Sequence, residues 1–224
     1  MSNIPTVPLE KIQYTETEML ERSQAYFDYM AKRHSTRDFT DKPVPLDIIK
    51  NCLLTAGRAP SGANQQPWHF AVVSDKAMKN KIRLAAEEEE RAFYNEGRAS
   101  DEWLEALAPL GTDANKSFID DASCLIVIFA QAYGVNEDGS KAKHYYVQES
   151  VGIATGFLIS ALHNVGLACL THTPSPMNFL AETLGRPKNE RAYINLVVGY
   201  PAENAGVPTH AKEKKAMDEF ISFF

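Results

Sequence analysis

Strands alternating with helices along one chain predict a single domain of the α/β or α+β class. Three observations carry that expectation. The 224 residues suffice for one sizeable domain or two small ones, and 44% hydrophobic with 23% charged residues is the composition of an ordinary globular protein. Continuous apolar runs of strand length at 122–130 and 192–199 have the pattern of buried strands. Around them lie segments with helical spacing, one of which, 146–165, is apolar nearly all round and so reads as a helix buried on every side.

The elements follow in order. Residues 16–32 carry Met19, Leu20, Tyr26, Phe27 and Met30 at roughly the spacing of one helical face, and end in a polar, basic segment at 33–39. Pro43 and Pro45 punctuate the chain before a second helix at 47–56. A turn-rich stretch at 57–67 leads into a short strand at 68–73. Ser74 and Asp75 have the side chains of a helix cap, predicting a third helix that runs into the four glutamates at 87–90. Residues 96–116 are broken by Gly97, Pro109, Gly111, Thr112 and Asp113, with Trp103, Leu104 and Leu107 as scattered apolar anchors, and predict a mobile, partly helical excursion.

In the long helix at 146–165, Gly152, Gly156 and Ser160 form one narrow stripe, which suits either core packing or a subunit interface. Gly166 ends it, and a strand at 167–171, a short helix at 175–184 and the strand at 192–199 follow. The chain finishes on Ile221, Phe223 and Phe224; an apolar C-terminus is usually docked, and a partner subunit is one candidate.

Several functional classes are disfavoured. A formal net charge of -6 opposes nucleic acid or an anionic membrane as the main partner, since both attract a basic surface. No run approaches the ~20 apolar residues of a membrane helix. Residues 1–10 lack the basic end and apolar run of a secretory signal. Cys52, Cys124 and Cys169 are widely spaced, odd in number and set among apolar residues, so they read as buried thiols in a reducing, cytoplasmic compartment rather than a disulfide framework or zinc site. Neither a Rossmann fingerprint nor a P-loop is present.

Four constellations carry polar chemistry. Arg33, His34, Ser35, Thr36 and Arg37 offer charge-assisted donors suited to phosphate, although a solvated basic loop has the same composition. Residues 59–68, APSGANQQPW, combine a glycine that permits close backbone approach with amides suited to the edge of a planar ligand; a plain surface loop fits equally well. Thr171, His172 and Thr173 precede Pro174 at the end of a strand, where α/β proteins commonly face ligands and where turn chemistry also places such residues. The acidic run at 87–90 is followed by Tyr94 and later by Lys116. Glu90 and Tyr94 share one helical face, though acidic runs are most often solvated.

Together and in this order, from about Tyr29 to Asp218, the segments resemble the nitroreductase-like flavoproteins. The markers are RHSTR at 33–37, APSGA at 59–63, WHFAVV at 68–73, EEEE with a downstream tyrosine at 87–94, HYYVQESVGIATG at 144–156, THTP at 171–174 and VGYPAE at 198–203. The acidic run with its tyrosine and lysine favours the deiodinase branch. The resemblance implies an α+β fold of α/β type in three layers, a central mixed sheet flanked by helices, and an intertwined homodimer with FMN held between its subunits. It implies one domain over 1–224, a mobile lid at about 87–118 and a C-terminal extension at about 204–224 reaching the partner.

By the same resemblance Arg33, His34, Ser35 and Thr36 lie along the FMN phosphate and ribityl chain, with Arg37 at the pyrimidine edge, where a fixed cation suits the charge of reduced flavin. Pro60, Ser61 and Gly62 line the flavin, Thr171, His172 and Thr173 its other side, and Lys214 stands where the family has an arginine near the phosphate. Thr173 is the implied catalytic residue, its hydroxyl bonding flavin N5 and favouring one-electron steps over hydride transfer. Glu90, Lys116 and Tyr94 take the ammonium and carboxylate of a halotyrosine, with the backbone of Ala63 at its phenolate oxygen. Lid closure over the stacked ring would exclude water. Asn64 stands where the branch has histidine, and Ala114 and Asn115 replace bulkier residues before Lys116. The implied reaction is reductive removal of iodide or bromide, with NAD(P)H as the direct or indirect reductant. A general nitroreductase or quinone reductase, and a non-catalytic flavin-binding protein, are the alternatives.

Overall fold

A computed structural model describes residues 4–224, and the chain divides into a short unit at 1–33 and a main unit at 34–224. The short unit contains helix α1, Glu16–Met30, which opens on a capping box in which Thr15 and Glu18 satisfy each other's backbone N–H groups. None of its side chains is buried, and Met19, Leu20, Tyr26 and Phe27 are exposed.

The main unit is built on a four-stranded sheet in the order β1 (Trp68–Val73), β2 (Cys124–Gln131), β6 (Glu190–Gly199), β5 (Ala168–His172). Side chains alternate across a strand, and β2 shows the consequence. Cys124, Ile126, Ile128 and Ala130 face helices α2 (Leu46–Ala56) and α6 (Val147–Asn164), packing on Ile49, Cys52, Val151, Leu158 and Leu162. Leu125, Val127 and Phe129 face the other way, onto Ile82 and Ala86 of α3 (Lys76–Asn95), Ile119 of α5 (Phe118–Asp121) and Leu180 of α7 (Asn178–Thr183). This makes three layers with two apolar seams, in which each fully buried large side chain contributes about 1.5–3 kcal/mol. All three cysteines are buried, none is in a disulfide, and they lie in the α2–α6 seam; burial pushes the Cys124 thiol up to about 11.

The expected mixed sheet is refined here, because among the described residues each ladder is antiparallel. Strands β2 and β5, joined through α6, do run in the same direction. However, β6 lies between them and pairs antiparallel with both. The sequence also gave no warning of α5 or of a small hairpin, β3 (Tyr133–Val135) with β4 (Lys141–Lys143), closed by a turn at Gly139. Strands of three residues fall below the length at which alternation is readable. Among the described residues, no helix is long and apolar enough to cross a membrane.

Candidate active site

Helix α3 carries the first part of the site. Its N-cap is Asp75, whose carboxylate accepts from the backbone of Met78, and its buried face includes Lys79, Ile82 and Ala86. Continuing that face at helical spacing brings Glu87, Glu90 and Tyr94 to the same side, beyond the end of the sheet. There a cavity of about 220 Å³ opens, with Arg37, Glu90, Tyr94, Lys116, Thr171, His172 and Thr173 among its polar lining residues. Phe93, Trp103, Leu107, Leu110 and Phe118 supply much of its apolar wall. Trp103 comes from α4 (Asp101–Leu107) and meets Phe93 edge to face at 5.0 Å.

Glu90 and Lys116 form a nearly solvent-free ion pair at 3.2 Å. Burial works to raise the Glu90 pKa, but His172 and Lys116 outweigh it and hold the carboxyl below its ordinary range. The Lys116 ammonium also donates to the Asp113 carbonyl and lies 5.5 Å from the Tyr94 ring centroid. Burial pushes the Tyr94 phenol up, which keeps it a protonated donor, and its hydroxyl lies 3.3 Å from the Thr112 hydroxyl.

The excursion at 96–116 is anchored where it returns. Glu87 accepts from the Lys116 backbone N–H at 3.0 Å, and Arg83 grips the same carboxylate at 2.9 and 3.0 Å. Arg83 Nε in turn reaches Asp120 at 2.6 Å. Further out, Arg98 joins Glu89 at 2.9 Å and the Ser175 carbonyl at 2.7 Å. Sequence reasoning did not single out Arg83, Arg98 or the anchoring role of Glu87. The four-residue spacing of Arg83 and Glu87 was the available signal.

Arg37 reaches the cavity because the next residues are stitched to the end of β6. Thr40 N–H donates to the Tyr200 carbonyl at 2.9 Å, and Ala202 N–H to the Asp38 carbonyl at 2.9 Å. Thr36 is buried and its hydroxyl accepts from the Asp38 N–H at 3.1 Å. On β5 the pleat separates neighbours: His172 is buried, whereas Thr171 and Thr173 are exposed.

The loop at 60–66 is held elsewhere, and none of Pro60, Ser61, Gly62 or Ala63 lines the cavity. Gly62 N–H donates to the Ser150 hydroxyl at 3.2 Å. A Cβ on Gly62 would lie 2.4 Å from the Tyr145 carbonyl oxygen, so only glycine permits this approach. Ala63, Asn64 and Gln66 have φ of 50°, 54° and 49°, and Tyr146 has 51°. Such left-handed residues cost of order 1–3 kcal/mol each and cluster at functional sites. Gln65 stabilises the arrangement by donating to the Lys143 carbonyl and accepting from the Tyr145 N–H, both at 2.8 Å.

The remaining predicted residues stand apart from the cavity lining. His34 and Ser35 are half-buried at the start of the main unit, while Arg33, also half-buried, belongs to the short unit. Lys214 is exposed, and its ammonium donates to the nearby Ala211 carbonyl at 2.7 Å. One chain therefore brings the predicted substrate trio together with Arg37 and the 171–173 segment, and holds the 60–66 loop as a separate group.

Comparison with known proteins gives this geometry a context. Residues 30–200 match the nitroreductase family. An iodotyrosine deiodinase of Haliscomenobacter hydrossis is 53% identical over 210 residues, covering 94% of each chain. Human iodotyrosine deiodinase 1 is 40% identical, over 98% of this chain and 75% of its own. Among solved structures, oxidised iodotyrosine deiodinase bound to FMN and 3-iodo-L-tyrosine matches with a TM-score of 0.75 at 28% identity, covering 88% of this chain and 99% of that one. A Bacteroides fragilis nitroreductase with bound FMN, at 20% identity and a TM-score of 0.63, shares the fold.

Proposed function

The chain belongs to the nitroreductase family, and from that premise we propose that it is an FMN-dependent reductive dehalogenase of halotyrosines, converting iodotyrosine to tyrosine and iodide. The observation that carries this reading is the buried pair of Glu90 and Lys116, with Tyr94 beside it, on a cavity walled by aromatic and aliphatic side chains. An amino-acid zwitterion exchanges one internal ion pair for two: its ammonium takes Glu90 and its carboxylate takes Lys116. Both charges stay compensated in a site that excludes water.

The residues present fit FMN. The Arg37 guanidinium and the open hydroxyls of Thr171 and Thr173 are a donor set for the polar edge of a flavin. His34, Ser35 and Thr36 of the main unit would hold the phosphate and ribityl chain, with Lys214 as a further cation. Bound FMN supplies the two electrons that, with a proton, replace the carbon–halogen bond by carbon–hydrogen. Arg37 balances negative charge at the pyrimidine edge, and the Thr173 hydroxyl holds a proton at N5. The backbone N–H of Ala63 meets the phenolate oxygen, and its pre-formed loop avoids reorganisation on binding. Residues 87–118 act as a lid, Tyr94 adding a hydrogen bond to the zwitterion while Phe93, Trp103 and Leu107 cover the ring.

The working unit in this reading is a homodimer in which the 60–66 loop of one subunit completes the cavity of the other. It is supported by the absence of that loop from the cavity lining and by the exposed Phe220, Phe223 and Phe224 of the 204–224 extension. The reductant is NAD(P)H, directly or through a separate reductase, and three buried cysteines outside any disulfide suit the cytoplasm.

The test is a titration of the FMN-loaded protein with 3-iodotyrosine, followed by flavin fluorescence, then reduction and assay of tyrosine and iodide. Saturable quenching with stoichiometric iodide release is expected. Glu90→Gln should weaken affinity about 30–100-fold, the effect of removing one member of a buried charge pair. A reducible flavin with no halotyrosine binding would return the chain to the nitroreductase alternative. A monomeric mass by light scattering with FMN tightly bound would exclude the shared site.

A further inference from the structure

At the end of β5, Thr171 and Thr173 are exposed while His172 between them is buried, and all three line the cavity. The His172 ring is almost solvent-free, its Nε2 lies 3.7 Å from Glu90 Oε1, and neither ring nitrogen has a hydrogen-bond partner. An imidazole buried without partners costs about 1–3 kcal/mol per unsatisfied group, so it calls for something that approaches or moves. The groups facing it are Glu90 on α3, Lys116 at the end of the lid, Arg37 beside the cavity, and the edge of Phe118 at 5.9 Å between ring centroids. Glu90 is thus contacted from two sides, by Lys116 through Oε2 and by His172 through Oε1.

We infer that His172 is a positioning residue that gates Glu90: the neutral ring orients the carboxylate toward the substrate ammonium, and the protonated ring takes that carboxylate for itself. This rests on the halotyrosine reading above. With the neutral ring, the amino-acid ammonium is the added cation at Glu90 and the local charge balances. With the imidazolium, Lys116 and His172 already flank one carboxylate, and a further ammonium meets repulsion where charges are poorly screened. Burial, aided by Lys116 and Arg37 and opposed by Glu90, holds the His172 pKa below its ordinary value. The neutral, binding-competent ring therefore prevails at neutral pH. Affinity is retained above the His172 pKa and lost as pH falls through it. By linkage, bound substrate must lower that pKa further.

The experiment first locates the His172 titration by NMR of ¹⁵N-histidine-labelled, FMN-loaded wild type, then compares the 3-iodotyrosine affinity of wild type and His172→Gln at pH values above and below that titration. Glutamine keeps a donor near the Nε2 position without titrating. The ligand's own phenol ionises identically for both proteins, so the ratio of dissociation constants isolates the ring. Below the His172 titration wild type should lose affinity relative to the variant by up to about tenfold per pH unit, and above it the two profiles should run parallel. Profiles parallel on both sides of the titration would overturn the inference while leaving the halotyrosine reading intact; no binding by wild type at any pH would overturn that reading and this inference with it. Should the variant fail to fold, NMR of ¹⁵N-histidine-labelled wild type decides. The buried imidazole must titrate at lower pH with ligand bound, and an unchanged titration overturns the gate.

Discussion

The excursion at 96–116 and the loop at 60–66 both carry candidate site residues, yet they are held by opposite means. The excursion hangs on side-chain contacts: Glu87 to the Lys116 backbone, Arg83 to Glu87, Arg98 to Glu89, and Phe93 against Trp103. The loop is fixed largely through its backbone, by left-handed residues, by the close approach of Gly62 to Tyr145 and by the paired hydrogen bonds of Gln65. Ion pairs can exchange partners when a charged ligand arrives, whereas a backbone wedged against another backbone has one arrangement. In the proposed enzyme the lid is accordingly the segment that responds to substrate, and the loop is the one formed in advance.

The strongest way to break this contrast is Gly62→Ala. The added methyl has no room beside the Tyr145 carbonyl, and we expect a loss of about 3 kcal/mol in chemical denaturation together with poor FMN retention. A loss below about 0.5 kcal/mol would show that the loop yields as readily as a surface turn. Next in size is Glu87→Ala, which frees the Lys116 backbone and leaves Arg83 without one of its carboxylates. About 2 kcal/mol of stability should be lost, with halotyrosine affinity roughly tenfold weaker. An unchanged affinity would mean that the lid places Lys116 without its anchor. The smallest effect is expected from Gln65→Ala, which removes two hydrogen bonds to 143–145 but leaves the glycine contact in place. It should cost about 1–2 kcal/mol, and substrate affinity measured by fluorescence should change less than in Glu87→Ala.

Much of this architecture is legible in the sequence. Strand β1 falls on the expected 68–73, and α1, α2 and α6 lie within two residues of the boundaries read from periodicity and punctuation. Ser74 and Asp75 marked the start of α3 because a capping side chain has a local cause, a bond to the N–H of Met78. The short elements were not legible: α5 and the β3–β4 hairpin are too brief to repeat a pattern. Within the site, the common face of Glu90 and Tyr94 followed from a four-residue spacing. The resemblance named Lys116 as their companion, but its pairing with Glu90 at 3.2 Å emerges only from the folded chain.

By itself the sequence determined what depends on neighbours along the chain: helix periods, caps, buried apolar strands and the residue types available for anion and zwitterion binding. Tertiary structure decided what depends on residues far apart. It inserted β6 between β2 and β5, set the Tyr145 carbonyl against Gly62, and turned His172 toward Glu90 while Thr171 and Thr173 stayed open. The physical reason is that local propensities act over a few residues. Which side chain meets which charge is fixed by strand register, by the pleat, and by the packing of two helical layers on one sheet.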